Sequence, residues 1–262
     1  MTPREKRAYQ DVRIVAAEDI LPDYETINSM THCVVVGDKK IVQFCSENYM
    51  LIPNKSITKP FEERLGAEHK FDLNISMYDD RRFWFNYIIK DKLIGGKKDG
   101  ILPAIKVQNS YDGGLRYILR FGFYRLICSN GMMIPEAGTE ETQVTLTHSL
   151  GNKNELERAF DRIDDFLSES KEMAEPYQQL MAQKVKSPEE RIMDVIEHTK
   201  FPSRQAEQVT ARFHEELQLG LESTDWITYN ALNYQLNHNE EIKMQEHKKE
   251  KLDIQLLDYL ID

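Results

Sequence analysis

A chain of 262 residues that is 40% hydrophobic and 30% charged has the length and composition of a folded soluble protein, not of a disordered one. Its net charge of −10 is unevenly spread: residues 1–150 set 20 Lys/Arg against 20 Asp/Glu, while residues 151–262 hold 14 against 24, so the acidity does not exclude a polyanionic partner for the first part. No apolar run approaches the ~20 residues of a membrane span, no charged-then-apolar leader opens the chain, and Cys33, Cys45 and Cys128 form no CxxC pair; the expected setting is the cytoplasm, without membrane contact, disulfide framework or cysteine-based zinc site.

In chain order, "HCVVVGDKKIVQFC" places two apolar runs around Gly37-Asp38-Lys39-Lys40 and predicts a hairpin. "NKSITKPFEERL" predicts a helix capped by Asn54 or Ser56, with Phe61 and Leu65 on one face and Pro60 in the first turn. From residue 71 an antiparallel meander is expected: "FDLNISMY", "RRFWFNYIIK", "ILPAIKVQNS" and "LRYILRFGFYRLIC". "DKLIGGKKDG" is read as a flexible loop and "YDGG" as a tight turn.

Helical patterns follow. "NELERAFDRIDDFLSESKEMAEPYQQLM" carries an apolar stripe of Leu156, Ala159, Phe160, Ile163, Phe166, Leu167, Met173, Tyr177 and Leu180. Ser187-Pro188-Glu189-Glu190 reads as a capping box with proline at the first helical position. "SRQAEQVTARFHEELQLG", closed by Gly220, and "TDWITYNALNYQLNHN" give two more helices. The acidic and apolar tail spaces Ile254, Leu257, Leu260 and Ile261 for a last one.

The meander carries the functional signal. Residues 81–125 hold ten basic side chains against Asp91, Asp99 and Asp112, a local charge of +7, together with nine of the chain's 25 aromatic residues. Strand alternation puts Phe83, Phe85, Tyr87 and Ile89 on one face with Leu115, Tyr117, Leu119, Phe121 and Phe123, which is the face expected to pack under helices. Gly122 is a candidate bulge. The opposite face presents Trp84, Arg116, Arg120 and Tyr124, with Arg81, Arg82, Lys97 and Lys98 near the strand ends. Cations interleaved with rings suit a single-stranded nucleic acid, whose phosphates need neutralising and whose bases stack on aromatic side chains. The plainer alternative is a solvated face with Arg stems lying over apolar surface.

Other motifs are silent. "LIGGKKDG" lacks the GxxxxGK[ST] pattern of a phosphate loop, and the seven histidines form no HExxH or HxxxH pair, so no cofactor and no metal is expected. Cys128, His148 and Asp112 can be drawn as a thiol site, but a Cys closing an apolar strand is ordinarily a small buried hydrophobe. "CSNGMMIP" places Asn130-Gly131 where a turn ends the strand.

"VQNSYDGGLRYILRFGFYRLICSNGM" resembles a hydrophobic strand, an N-S-x-D-G turn and an R-x-x-C-x-N-G/T closing segment found in the phage and plasmid family known as domain of unknown function 932. "TDWITYNAL" is similar to that family's W-x-x-Y-N-A segment, and "HCVVVGDKKIVQF" is compatible with its opening hairpin. The resemblance covers about residues 30–235 and marks Asn109, Asp112, Gly113, Arg125, Cys128, Asn130, Gly131, Trp226 and Asn230. It implies a gene carried on phages, plasmids or integrated elements, and it supplies no catalytic residue.

The expected fold is α+β: an antiparallel, aromatic-rich sheet with a packed helix in residues 1–150, containing the basic and aromatic meander 81–127, followed by an acidic helical region 151–262. The expected function is non-enzymatic binding of single-stranded DNA or RNA by a self-assembling protein of a phage or mobile element, as an annealing, recombination or replication accessory factor. The alternative is a protein-interaction module whose acidic helical half mimics nucleic acid and binds a basic host or phage protein.

Overall fold

In the computed structural model the described residues are 2–23, 29–38, 40–126, 133–135, 143–146 and 153–262. The fold is α+β, with the strands in the first part of the chain and most helices in the second. It divides into two compact units: Met1–Leu93, Ile101–Ile134 and Glu140–Ser168 form one; Ile94–Gly100, Pro135–Thr139 and Glu169–Asp262 form the other.

The first unit opens with helix α1 (Pro3–Ala8), started by a Thr2/Glu5 capping box and a proline, a signal present in "TPRE". A small antiparallel sheet, β1-β2-β3, joins β1 (Val12–Ala16) to the hairpin β2 (His32–Val36) and β3 (Lys40–Cys45), with the short helix α2 (Ala17–Ile20) between. Gly37 takes φ +60° at the hairpin turn, a conformation open to glycine at no steric cost. The predicted hairpin is present.

All four strands of the meander form. β4 (Phe71–Tyr78), β5 (Arg82–Ile89), β6 (Ile101–Ser110) and β7 (Tyr117–Arg125) pair antiparallel in sequence order, continued by β8 (Met133–Pro135), while β9 (Gln143–Leu146) also pairs with β7. Gly122 is not a bulge: it lies in unbroken register opposite Ala104, where two small residues let the strands pass without a kink. Between β4 and β5, Asp79 and Asp80 both take positive φ (51° and 56°) and Arg81 N donates to Tyr78 O at 3.1 Å, a type I′ turn matched to strand twist.

Helix α3 (Asn54–Glu68) crosses the core face of this sheet. Its N-cap is Pro53, not Asn54 or Ser56; Ser56 Oγ instead donates back to Pro53 O at 2.7 Å. The amide of Asn54, an orphan donor at a helix start, is satisfied by Tyr111 Oη at 3.0 Å. Pro60 therefore sits inside the helix rather than in its first turn. An interior proline costs about 3 kcal/mol, which is offset by complete burial of Ile57, Phe61 and Leu65 at about 1.5–3 kcal/mol each.

Phe61 stacks on Tyr87 with centroids 5.6 Å apart, and Tyr9 lies 6.0 Å from Phe85. Helix α4 (Lys153–Met173) packs Phe166 against Phe121 (4.9 Å) and Phe123 (6.0 Å). Arg64 ties α3 to α4 through Asp164 at 3.0 Å. Phe83, Phe85, Tyr87, Ile89, Tyr117, Leu119, Phe121 and Phe123 are all buried, so the face expected to be core is core.

In the second unit, a helix break at Ala174 precedes Pro176 and starts α5 (Glu175–Ala182). α6 (Pro188–Thr199) begins where the residue pattern predicts, but Ser187 makes no side-chain cap bond, so the capping box is not formed. A 3-10 turn leads into α7 (Ala206–Gln218), which Gly220 closes at φ +73°. α8 (Asp225–His238) packs against α5, α6, α7 and α9 (Glu246–Ile261), and ten of its residues are buried.

The C-terminal stretch is α9, the last helix that the spacing of Ile254, Leu257, Leu260 and Ile261 predicts. Leu252, Leu256, Leu257 and Leu260 are buried, and Asp253 accepts Tyr229 Oη (3.2 Å) and Asn233 Nδ2 (2.6 Å). The stretch 94–100 is not a loose loop. Trp226 Nε1 donates to Asp99 Oδ2 at 2.9 Å and Lys98 Nζ to Gly220 O at 3.0 Å, which anchors the segment among the helices. Among the described residues no helix is long and apolar enough to cross a membrane.

Candidate nucleic-acid interface

The second face of the six-stranded sheet is built by the even-numbered residues of β4 to β7. Register fixes its rows: Tyr78 beside Arg82 and Ser110; Ser76, Trp84, Gln108, Ile118 and Thr145; Asn74, Asn86, Lys106, Arg120 and Gln143. Successive rows are two residues, about 6.8 Å, apart along the strands. Farther on, Ile88, Leu102, Ala104 and Gly122 are buried, whereas Arg82, Trp84, Asn86, Lys106, Gln108, Ile118 and Arg120 are half-buried and Arg116 is exposed. The open part of the face is thus the end nearest the β4–β5 and β6–β7 turns.

Trp84 is held in place there. Its Nε1 donates to Gln108 Oε1 at 3.0 Å, and Gln108 Nε2 donates to Arg116 O at 3.3 Å. Arg82, two residues before Trp84 on the same side, gives Nε to Asp112 Oδ2 at 3.0 Å and keeps 38% of its side chain exposed. Lys106 and Arg120 are Cα partners directly across β6 and β7.

Of the candidates from the sequence, the structure gathers Arg82, Trp84, Arg116 and Arg120. Arg81 stands at the turn, 3.0 Å from Asp79 and with its guanidinium 5.9 Å from the centroid of the Tyr78 ring. Tyr124 pairs with Leu102, six residues from Ile118 and so about 20 Å along the strand from the Trp84 row. Lys97 and Lys98 belong to the second unit, and the sheet face is built without them. Tyr78, Lys106, Asn86 and Gln108 were missed. Period-two alternation reaches them once register is known, but a strand read alone does not show which residues become row neighbours.

The motif positions are mostly structural. Asn109 Nδ2 donates to Ile52 O and Asn54 Oδ1, both at 2.8 Å, which locks β6 to the start of α3. Gly113 takes φ +63° in the turn, and Asp112 Oδ1 accepts the Gly114 amide at 2.9 Å. Arg125 lies on the core side of β7 and is fully buried, which follows from its odd-numbered place beside Phe123. Trp226 and Asn230 sit in buried α8, where Asn230 Nδ2 donates to Trp226 O at 2.6 Å. Cys128, Asn130, Gly131 and His148 lie outside the described residues. Among the described residues no group of three His, Cys, Asp or Glu side chains is placed to hold a metal ion.

An antiparallel sheet with helices on one face and a partly open aromatic and cationic second face defines a class: an α+β sheet platform in a chain that also carries a helical unit. The chain belongs to the family described as Domain of unknown function (DUF932), whose model matches residues 42–257, from β3 into α9. No curated protein and no solved structure matches it.

Proposed function

We propose that the protein binds single-stranded nucleic acid on the open end of its sheet, without catalysing a reaction. The observation that carries this is Trp84, fixed by Gln108 on a half-open face with Arg82 one row to one side and Lys106 and Arg120 one row to the other. A ring that is already immobilised loses little freedom when a base stacks on it, and flanking cations at about one pleat repeat suit the phosphates on either side. A sheet presenting aromatic and basic side chains to splayed bases is an established mode of single-strand recognition in other folds. The same reading extends to a cytoplasmic, self-assembling accessory factor of a mobile element that acts in annealing, recombination or replication.

The test is fluorescence anisotropy of a labelled ~40-nucleotide strand at two salt concentrations, against duplex competitor. Tight, salt-sensitive and single-strand-selective binding is expected. Arg116→Ala with Arg120→Ala should lower the salt slope by about 0.7 for each phosphate that is no longer neutralised. Trp84→Ala should weaken binding and leave that slope unchanged. Absence of binding at low salt would remove the proposal.

A further inference from the structure

Tyr78 is the most exposed of the large hydrophobic residues described, at 59%, although it ends a strand whose neighbours pack on a core. Its register partner is Arg82, and Trp84 pairs with Ser76 on the same side, so Tyr78 and Trp84 are diagonal neighbours with Arg82 between them. The type I′ turn fixes the strand end, and Arg81, itself bound to Asp79, stands over the Tyr78 ring. Arg82 makes one side-chain hydrogen bond among the described residues, through Nε, so that Asp112 orients its guanidinium while 38% of the side chain stays exposed.

We propose that Tyr78 is a second stacking platform and that the face takes a dinucleotide step: one base on Trp84, the next on Tyr78, and the linking phosphate on Arg82. The inference rests on the single-strand reading given above. Diagonal neighbours in a sheet lie about 7–8 Å apart, roughly twice the 3.4 Å rise between stacked bases of a duplex strand. Two bases seated on these rings are therefore splayed. A paired, stacked duplex cannot supply that geometry, which makes the pair of rings a device for selecting single strands. Arg81 over Tyr78 forms the far side of the second seat, so that a base arriving on the open ring face completes a guanidinium, phenol and base stack.

The experiment measures affinity for a labelled single strand of DNA, and separately of RNA, with the full chain and its Tyr78→Ala, Tyr78→Phe, Trp84→Ala and Arg82→Gln variants, each checked by thermal melt. Tyr78→Ala should lower affinity about tenfold with an unchanged salt slope, within the range of one stacked base, and Tyr78→Phe should retain parent affinity. Arg82→Gln should lower the salt slope by about 0.7. Parent affinity in Tyr78→Ala with a loss in Trp84→Ala would overturn the dinucleotide step and leave the single-strand reading standing. Parent affinity in both would overturn that reading too.

Discussion

Arg82 at the start of β5 reaches Asp112 in the β6–β7 turn at 3.0 Å, with Gly114 so close that a Cβ there would come within 2.4 Å of Arg82 Nη2 and 2.9 Å of Asp112 Oδ1. The tightest approach is to the far end of the flexible, half-exposed Arg82 side chain, and Asp112 Oδ1 is a side-chain atom too, so Gly114→Ala displaces the guanidinium and its carboxylate partner rather than the backbone. The variant is expected to lose less than about 1 kcal/mol in a urea melt and to bind single strands more weakly with a shallower salt slope. A large stability loss with unchanged binding would show that the turn serves folding alone.

The core of the first unit contains two phenols packed for their rings alone. Tyr87 and Tyr117 are fully buried, and their hydroxyls find no hydrogen-bond partner among the described residues. Burial pushes both well above the ordinary tyrosine range, so each stays neutral and protonated. An unpaired buried hydroxyl costs about 1–3 kcal/mol, and removing it leaves the ring packing intact. Tyr87→Phe and Tyr117→Phe are each expected to raise unfolding free energy by about 1 kcal/mol; a decrease would reveal a buried water that both phenols need.

Asp80 gives the sheet an acid-sensitive link. Arg7 Nε donates to Oδ1 at 2.8 Å and Lys40 Nζ lies 3.0 Å from Oδ2, which joins α1, the β2–β3 hairpin and the β4–β5 turn. Burial acts to raise its pKa, but the bonds from Lys40 and Arg7 outweigh burial and hold the carboxyl below its ordinary value. A depressed pKa stabilises the fold above the unfolded value near about 3.9 and loses that contribution as pH falls through the folded one. Urea melts of the parent and Asp80→Asn should therefore differ at about pH 7 and converge below about pH 4. A gap that does not change with pH would rule out the ion pairs as its source.

In the helical unit, Asp253 of α9 holds Tyr229 and Asn233 of α8 at 3.2 and 2.6 Å in a buried setting. Asp253→Ala strands a phenol and an amide together. The expected loss is about 2–4 kcal/mol, measured by chemical denaturation, with α9 released from the unit as increased proteolysis near its start. A loss below about 1 kcal/mol would mean that the leucines of α9 alone hold it.

The course of the main chain was legible from residue patterns because it depends on local physics. Period-two alternation located β4 to β7 and their buried faces, and 3.6-residue periodicity located α3 and the helices from α4 to α9, with α4 and α5 read as one stripe and the short α1 and α2 not read at all, since each longer strand or helix must hide one side whatever its partner. Failures fell where a local rule met a distant neighbour: Pro60 is tolerated mid-helix because Phe61 and Leu65 are buried on the sheet, and Ser187 starts a helix without capping it. Residues 94–100 read as loose because Gly95 and Gly96 are flexible, yet Asp99 and Lys98 find partners more than 120 positions away.

For the candidate site, composition alone marked the stretch where cations and rings concentrate. Register decided which of them are neighbours: it set Trp84 between Arg82 and Lys106, added Tyr78, moved Tyr124 some ~20 Å away and put Arg125 on the buried side. Charge and aromaticity belong to the residues themselves, whereas adjacency across strands arises only when backbone pairing aligns distant segments, and a one-residue slip would turn every one of these side chains to the other face.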